Sequence, residues 1–395
     1  MVFGDIDAWI VRHNEDASGQ GQQIYTTMYE YMLIENLKHH SMTSYLSNFR
    51  AIVQKKPHLD YNKLDEASIK EILTSIVKKH KNPTTQVNQK ISLRKWLQCS
   101  GQEHLLDLVK TKRVKSNSKL PEEMLTKEEL ELLLTNCSHP RDSAIIALLY
   151  DSGCRIGELL SMRVKDVEFD DNGAIVTFPE GKTGWRKNRI LLASSYLRVW
   201  LDSHEYKANY ENPLFYSMKG KYKNPDLDYK IRNLPENKEI VKLTAEAVRR
   251  QIHNIAKKAG IERRIHPHLF RHTRATELAN HLTEQQLKKQ FGWTAGSDVA
   301  SKYVHLTDKD VERAILKASG IEIEEEVQER GLTPTRCMRC KEINPPHAAF
   351  CMKCGYPMTL DAIDKSTSMK QEAINSISME DIQKMISREI EKMKK

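Results

Sequence analysis

The sequence has no long apolar run. Its most apolar stretch, residues 144–150 (AIIALLY), falls far short of the about 20 residues that a membrane helix needs, and the mean hydropathy is -0.60. The opening MVFGDIDAW carries acids where a secretory leader carries bases. A membrane protein is therefore not expected; a cytoplasmic one is. Cysteine is scarce, with seven in 395 residues. Cys99, Cys137 and Cys154 are scattered, and no disulfides are expected in a reducing compartment. The chain lacks a repeat of about 20 to 50 residues, which argues against a solenoid. It also lacks a cluster of acids for nuclease metals, a P-loop and a glycine-rich dinucleotide fingerprint. Any phosphate chemistry must then come from side chains, with no nucleotide cofactor and no small-molecule substrate.

What the chain does have is positive charge. Lys and Arg number 62 against 53 Asp and Glu, a net +9, which suits a polyanionic partner. Residues 241–275 hold nine bases (Lys242, Arg249, Arg250, Lys257, Lys258, Arg263, Arg264, Arg271, Arg274) against Glu246 and Glu262, so nine minus two, seven, of the surplus is local. Lys110, Lys112, Arg113, Lys115 and Lys119 lie in a Ser/Asn-containing stretch ending at Leu120-Pro121, the composition of a linker. After Ser319 the chain turns acidic through Glu322, Glu324, Glu325, Glu326 and Glu329. These shifts divide it into a helical N-terminal part (1–113), a basic linker (114–120), a central domain (121–318), a cysteine segment (333–358) and a tail (359–395).

Hydrophobic spacing predicts a fold that is mainly α with a small β-sheet. Ile24, Met28, Met32 and Leu33, then Leu46, Phe49 and Val53, then Ile69, Ile72, Leu73 and Ile76 recur at three- and four-residue steps, the pattern of a small helical bundle. Lys78, Lys79, His80, Lys81, Lys90, Arg94 and Lys95 decorate its later segments and are expected to face DNA. In the central domain, Thr126-x-x-Glu129 predicts a capping box. Helices are expected over 141–150, from about Cys154, and from a Thr244 cap with Val248, Ile252, Ile255 and Ala259 on one face and Gly260 at the end. Residues 174–178 (AIVTF) and 189–192 (RILL) predict a β-hairpin around Gly181-Lys182-Thr183-Gly184.

The residues able to handle a phosphate are Arg155, Lys182, the run from His266 to Thr276, Gly292-Trp293, and Tyr303 ten residues beyond Trp293. Each alone has a bland reading as an ion pair, a solvated turn lysine or a packed tyrosine. In order and spacing they resemble the tyrosine site-specific recombinases, the phage integrase family, over residues 1 to about 318. Ser152-Gly153-Cys154-Arg155-Ile156-Gly157-Glu158-Leu159 looks like the first-arginine box. Gly181-Lys182-Thr183-Gly184 with Arg189 looks like the lysine hairpin, and His268-x-x-Arg271-His272 with Ala275-Thr276 like the second box. Phe291-Gly292-Trp293 and Tyr303-Val304-His305 look like the third box and the nucleophile. Trp293 stands where His is frequent, and its spacing to Tyr303 is one residue longer than usual.

The chemistry explains the residue types. A phosphodiester gains negative charge as a nucleophile adds, so two guanidiniums forked onto its oxygens favour the transition state; Arg155 and Arg271 fit that role. Metal-free cleavage needs a nucleophile that can later be expelled, the Tyr303 phenolate. Lys182 would protonate the leaving oxygen, His268 would take the Tyr303 proton, and the Trp293 indole would bond the phosphate or position the tyrosine. Glu158 and His272 would support them. The resemblance implies a 3'-phosphotyrosine, double-stranded DNA clamped between an N-terminal core-binding bundle and an α-rich catalytic domain, and a homo-tetramer on two DNA sites. It also implies integration or excision of a mobile element, or resolution of replicon multimers, on a nucleoid-associated protein. The alternatives are a silent DNA-binding protein of the same fold and a type IB topoisomerase-like relaxing enzyme.

Cys337-x2-Cys340-x10-Cys351-x2-Cys354 packs four cysteines into 18 residues. Two such knuckles predict a zinc ribbon, a closed tetrahedral site that is structural, with no open position for catalysis. A ribbon appended in this way resembles archaeal integrases. Met379, Ile382, Ile386 and Met393 predict a short amphipathic helix in the tail.

Overall fold

The structure is a computed structural model, and it describes residues 9–10, 21–111, 124–179, 184–218, 221–222, 238–304, 315, 319, 332–346 and 348–376. The linker 114–120, Lys182 and the tail repeat from Met379 to Met393 lie outside them. The chain separates into two compact units, Met1–Ser118 and Lys119–Lys395.

In the first unit, α1 (Gly21–Ile34), α2 (His39–Val53), α3 (Glu66–Lys79) and α4 (Pro83–Cys99) form the helical bundle. Asp65 caps α3 by accepting the Ser68 N–H, and Asn82 caps α4 ahead of a first-turn proline. Met28, Met32, Leu46, Phe49, Ile69, Ile72 and Ile76 are buried together. Phe49 stacks on Trp96 at 5.3 Å, and the Trp96 indole donates to Tyr61 O. Leu33, expected inside, is 42% exposed. Two of the bases expected to face DNA also have local partners. Arg94 donates to the Leu106 and Val109 carbonyls, and Lys95 pairs with Glu35. A cation on a helix surface here closes the end of its own bundle.

The second unit opens with α5 (Lys127–Thr135), whose Thr126–Glu129 capping box makes both reciprocal bonds. Next come α6 (Pro140–Ser152), buried along most of its length, and the short α7 (Ile156–Ser161). The sheet has three antiparallel strands in the order β1 (Val167–Asp170), β2 (Gly173–Phe178) and β3 (Arg186–Ile190). This corrects the expected hairpin twice. Val167–Asp170 adds a strand that the sequence pattern does not predict, and the return strand is Arg186–Ile190 rather than 189–192, because α8 (Leu192–Asp202) already begins at Leu192. The inward face of β3 is Arg186, Asn188 and Ile190, so its two polar inward residues conceal the alternation that marks a strand.

A two-stranded ladder, β4 (Lys221–Tyr222) with β5 (Lys238–Glu239), precedes α9 (Ala245–Lys258), α10 (Pro267–Leu278) and α11 (Glu284–Phe291). Thr244 caps α9 and buries Val248, Ile252 and Ile255, as its spacing predicts. Two of the nine bases in 241–275 have acidic partners from other elements: Arg263 pairs with Glu129, and Arg274 with Asp151 as well as with Glu277 of its own helix.

The cysteine segment forms a hairpin of β6 (Thr335–Arg336) and β7 (Ile343–Asn344), followed by α12 (Leu360–Ser376). It belongs to the second unit. Arg336 donates to Asp171 O and to Asn172 Oδ1 at the β1–β2 turn. Arg198 of α8 lies over the Phe169 ring and donates to Glu342. No helix among the described residues is long and apolar enough to cross a membrane.

Candidate active site and cysteine centre

The first-arginine box sits where α6 stops. Gly153 ends the helix in a left-handed conformation (φ 59°), and a Cβ there would meet the Phe291 ring at 2.3 Å, so only glycine fits both demands. The chain then turns into α7 with Arg155 as its capping residue. The buried Glu158 carboxylate accepts the Arg155 backbone N–H (2.7 Å) and Arg155 Nη1 (2.7 Å). Burial alone would raise the Glu158 carboxyl. The hydrogen bond and charge of Arg186, with further bonds from Arg155, instead hold it below the usual range. Arg155 is 31% exposed, so its side chain is reachable.

Arg271 projects from α10 into the same place. Nη1 donates to Gly153 O (2.8 Å) and Nη2 to Phe291 O (2.5 Å). Its guanidinium packs over the Phe291 and Trp293 rings at 5.2 and 5.3 Å. Burial, aided by the neighbouring Arg155 charge, pulls Arg271 down to about 9. Arg155 and Arg271 are thus electrostatic neighbours, an arrangement suited to an anion.

Tyr303 follows a 3-10 turn, Ala300–Lys302, and is half-buried. Its ring lies flat on Trp293 (5.6 Å, 3°), which in turn stacks on Phe291. Trp293 therefore makes the packing contact foreseen for it. Burial raises the Tyr303 phenol, and Arg271 opposes that. The phenol oxygen is hydrogen-bonded to His272 Nδ1. His268, the expected proton acceptor, is exposed and packs edge-on against His272 at 4.6 Å. The residue beside the Tyr303 hydroxyl is thus His272, four positions along α10. The helical i, i+4 step places both rings on one face, so the sequence alone did not choose between them.

Arg155, Arg271, Trp293 and Tyr303 come together, with His268 at the edge; Lys182 lies outside the described residues. Arg189, read as part of the lysine hairpin, points away and pairs with Asp170 (2.6 Å, 42% exposed). Arg186, unremarked in the sequence, lies inside, donating to Glu158 (2.8 Å) and to Gln290 O (3.2 Å). The signal that could have found it is strand parity. Arg189 shares a face with Lys187, whereas Arg186 shares one with the apolar Ile190.

The sulfurs of Cys337, Cys340, Cys351 and Cys354 all lie within 4.8 Å of one another, the one metal-ligating group of this kind found among the described residues. The Cys337–Cys354 and Cys340–Cys351 separations are 3.7 and 3.6 Å. A tetrahedral site with Zn–S of about 2.3 Å has edges of about 3.8 Å, so the donors fit zinc. Burial pushes the Cys351 thiol up, but backbone N–H bonds from Cys354 and Lys353 and the Asn344 amide bring it down to about 6.

Residues 123–310 match the model of the phage integrase family. Over 295 residues the chain is 25% identical to the tyrosine recombinase XerC of Staphylococcus aureus, covering 72% of this chain and 91% of that one. It is 24% identical over 304 residues to a tyrosine recombinase of Pseudothermotoga lettingae, covering 75% and 98%. Among solved structures it resembles the Tn1549 transposon integrase in complex with transposon right end DNA (TM-score 0.53, 18% identity, 75% and 99% covered). It also resembles a lambda integrase dimer bound to a COC' core site (TM-score 0.50, 16% identity, 73% and 77% covered).

Proposed function

We propose that this chain, whose residues 123–310 match the phage integrase family model, is a tyrosine recombinase that breaks and rejoins DNA by site-specific strand exchange through a 3'-phosphotyrosine at Tyr303. One observation carries this reading: the Tyr303 ring and the Arg271 guanidinium lie against the same Trp293 indole, with Arg155 beside Arg271.

In the proposed reaction Arg155 and Arg271 hold the non-bridging oxygens of the scissile phosphate, where charge develops. Tyr303 Oη forms a bond to phosphorus as the bond from phosphorus to the 5'-oxygen breaks. His272, already hydrogen-bonded to the phenol, takes its proton and passes it to the exposed His268. Lys182 protonates the departing 5'-oxygen. The phosphodiester energy stays in the tyrosyl ester, so a second 5'-hydroxyl rejoins the strand without ATP. Trp293 fixes the phenol plane.

Double-stranded DNA is the proposed partner, held by a homo-tetramer on two sites, with residues 1–113 as a core-binding domain and 114–120 as the basic linker. The proposed role is integration or excision of a mobile element, or replicon multimer resolution, in the cytoplasm at the nucleoid. Cys337, Cys340, Cys351 and Cys354 would hold a structural zinc, giving the chain an archaeal-type architecture with a C-terminal ribbon. That zinc would organise the knuckles and take no part in the reaction.

The test is a nicked suicide duplex carrying the target site, with covalent adducts read on denaturing gels. Wild-type protein is expected to form an adduct and Tyr303→Phe none; an adduct that survives in Tyr303→Phe refutes the nucleophile.

A further inference from the structure

Three guanidiniums meet three consecutive carbonyls at the C-terminus of α11. Arg186 Nε donates to Gln290 O (3.2 Å), Arg271 Nη2 to Phe291 O (2.5 Å), and the Arg155 guanidinium lies 3.5 Å from Gly292 O. A helix leaves its last carbonyls without intrahelical partners, and they carry the negative end of its dipole. The loop bearing Trp293 and Tyr303 hangs from this terminus. Whatever fixes these carbonyls also fixes the start of the segment that presents the nucleophile.

Arg186 differs from the other two. It is 8% exposed, lies on the inward face of β3, and stacks on the Phe178 ring at 4.5 Å, so it does not reach a phosphate at the surface. Its Nη2 donates to Glu158 Oε2, the oxygen that also takes the Arg155 backbone N–H, while Oε1 takes Arg155 Nη1. Its Nη1 is buried without a hydrogen-bond partner among the described residues. A buried guanidinium with an unmatched donor is a poor way to gain stability. Its geometric effect is clear. With Arg186 on Oε2, Glu158 is divided between two arginines. Without it, the carboxylate is free to close a two-pronged pair with Arg155 and withdraw donors from an incoming phosphate.

We propose that Arg186 is a positioning residue for strand cleavage: through Glu158 it keeps Arg155 open to the phosphate, and through Gln290 it anchors the segment that carries Trp293 and Tyr303. The proposal rests on reading Arg155 as a phosphate ligand and Tyr303 as the nucleophile.

The experiment uses the full chain and the suicide duplex, with three readouts: adduct rate at saturating DNA, duplex affinity and melting temperature. The variants are Arg186→Gln, Arg186→Lys, Glu158→Gln and the double variant. Displacing a reacting group by about an ångström costs on the order of a hundredfold. Arg186→Gln is therefore expected to cleave about 10- to 100-fold more slowly, with affinity within about threefold of wild type. Arg186→Lys, which restores the charge but reaches Glu158 or Gln290 and not both, is expected to recover part of the rate at an unchanged melting temperature. The double variant is expected to be no slower than the slower single variant, because both residues act through Arg155. Wild-type cleavage in Arg186→Gln, or strictly additive losses in the double variant, overturns the proposal. So does a parallel fall of rate, affinity and melting temperature in both Arg186 variants, which marks a merely structural residue. If wild-type protein forms no adduct, the cleavage reading itself fails; if it does and the Arg186 variants match it, only this inference fails.

Discussion

The four cysteines lie within 18 residues, two on each of two short knuckles, whereas the arginine pocket collects Gly153, Arg155, Glu158, Arg186, Arg271, Trp293 and Tyr303 from segments up to 150 residues apart. Both gather polar side chains around a place for a ligand, but they are assembled differently. In the cysteine centre the local backbone brings the sulfurs together, and the donors need little from the rest of the fold. In the pocket Arg271 is held by Gly153 O and Phe291 O and Arg186 by Glu158 and Gln290 O, all from other elements, while Trp293 and Tyr303 stack on each other. A locally built site is robust to distant change, and a distributed one fails when any support moves.

The comparison can be pressed hardest at Arg271. Arg271→Ala removes the proposed transition-state donor and leaves Gly153 O and Phe291 O without the Arg271 donors. We expect adduct formation to fall by about a thousandfold or more while duplex affinity falls far less. Equal losses of cleavage and binding would reduce Arg271 to a phosphate anchor. Next in size is Cys337→Ser, expected to take bound zinc from one per chain to near none by metal analysis. Because the cysteine centre is local, adduct formation should fall by less than about tenfold; a loss matching that of Arg271→Ala would show the two sites to be one cooperative unit.

Acid offers a smaller effect on the pocket. Glu158 is depressed below its ordinary value, so its stabilising contribution is present above the unfolded-state pKa and is lost as pH falls through the lower folded-state pKa. Urea unfolding across the carboxylate range should show wild-type protein losing stability on acidification more steeply than Glu158→Gln. Parallel curves would mean that the carboxylate is no better held in the fold than in the unfolded chain. The smallest effect belongs to Arg189→Ala. An exposed pair with Asp170 contributes about 0 to 1 kcal/mol, so the melting temperature and cleavage rate should barely change. Set beside Arg186→Gln, on the same strand, this variant separates a surface ion pair from an internal support.

Those two arginines also mark what could be read in advance. The helices of the first unit, the capping box at Thr126, the Thr244 cap and the knuckle spacing were legible because each is a short-range pattern fixed by the local backbone. The strand at Arg186–Ile190 is hidden in the sequence because its buried positions carry Arg and Asn, whose burial depends on Glu158, Gln290 and Ser152 arriving from elsewhere. The same applies to Arg94 and Lys95, whose partners Leu106, Val109 and Glu35 are set by packing.

The sequence by itself determined the order of the chemistry-bearing residues, the glycine that ends α6, and four thiols spaced to share one ion. Tertiary structure alone decided that His272 rather than His268 meets the Tyr303 hydroxyl, that Trp293 lies flat against that ring, and that Arg186 rather than Arg189 enters the pocket. Periodicity along a chain specifies a face of a helix or strand; which neighbour that face meets depends on how separate elements pack.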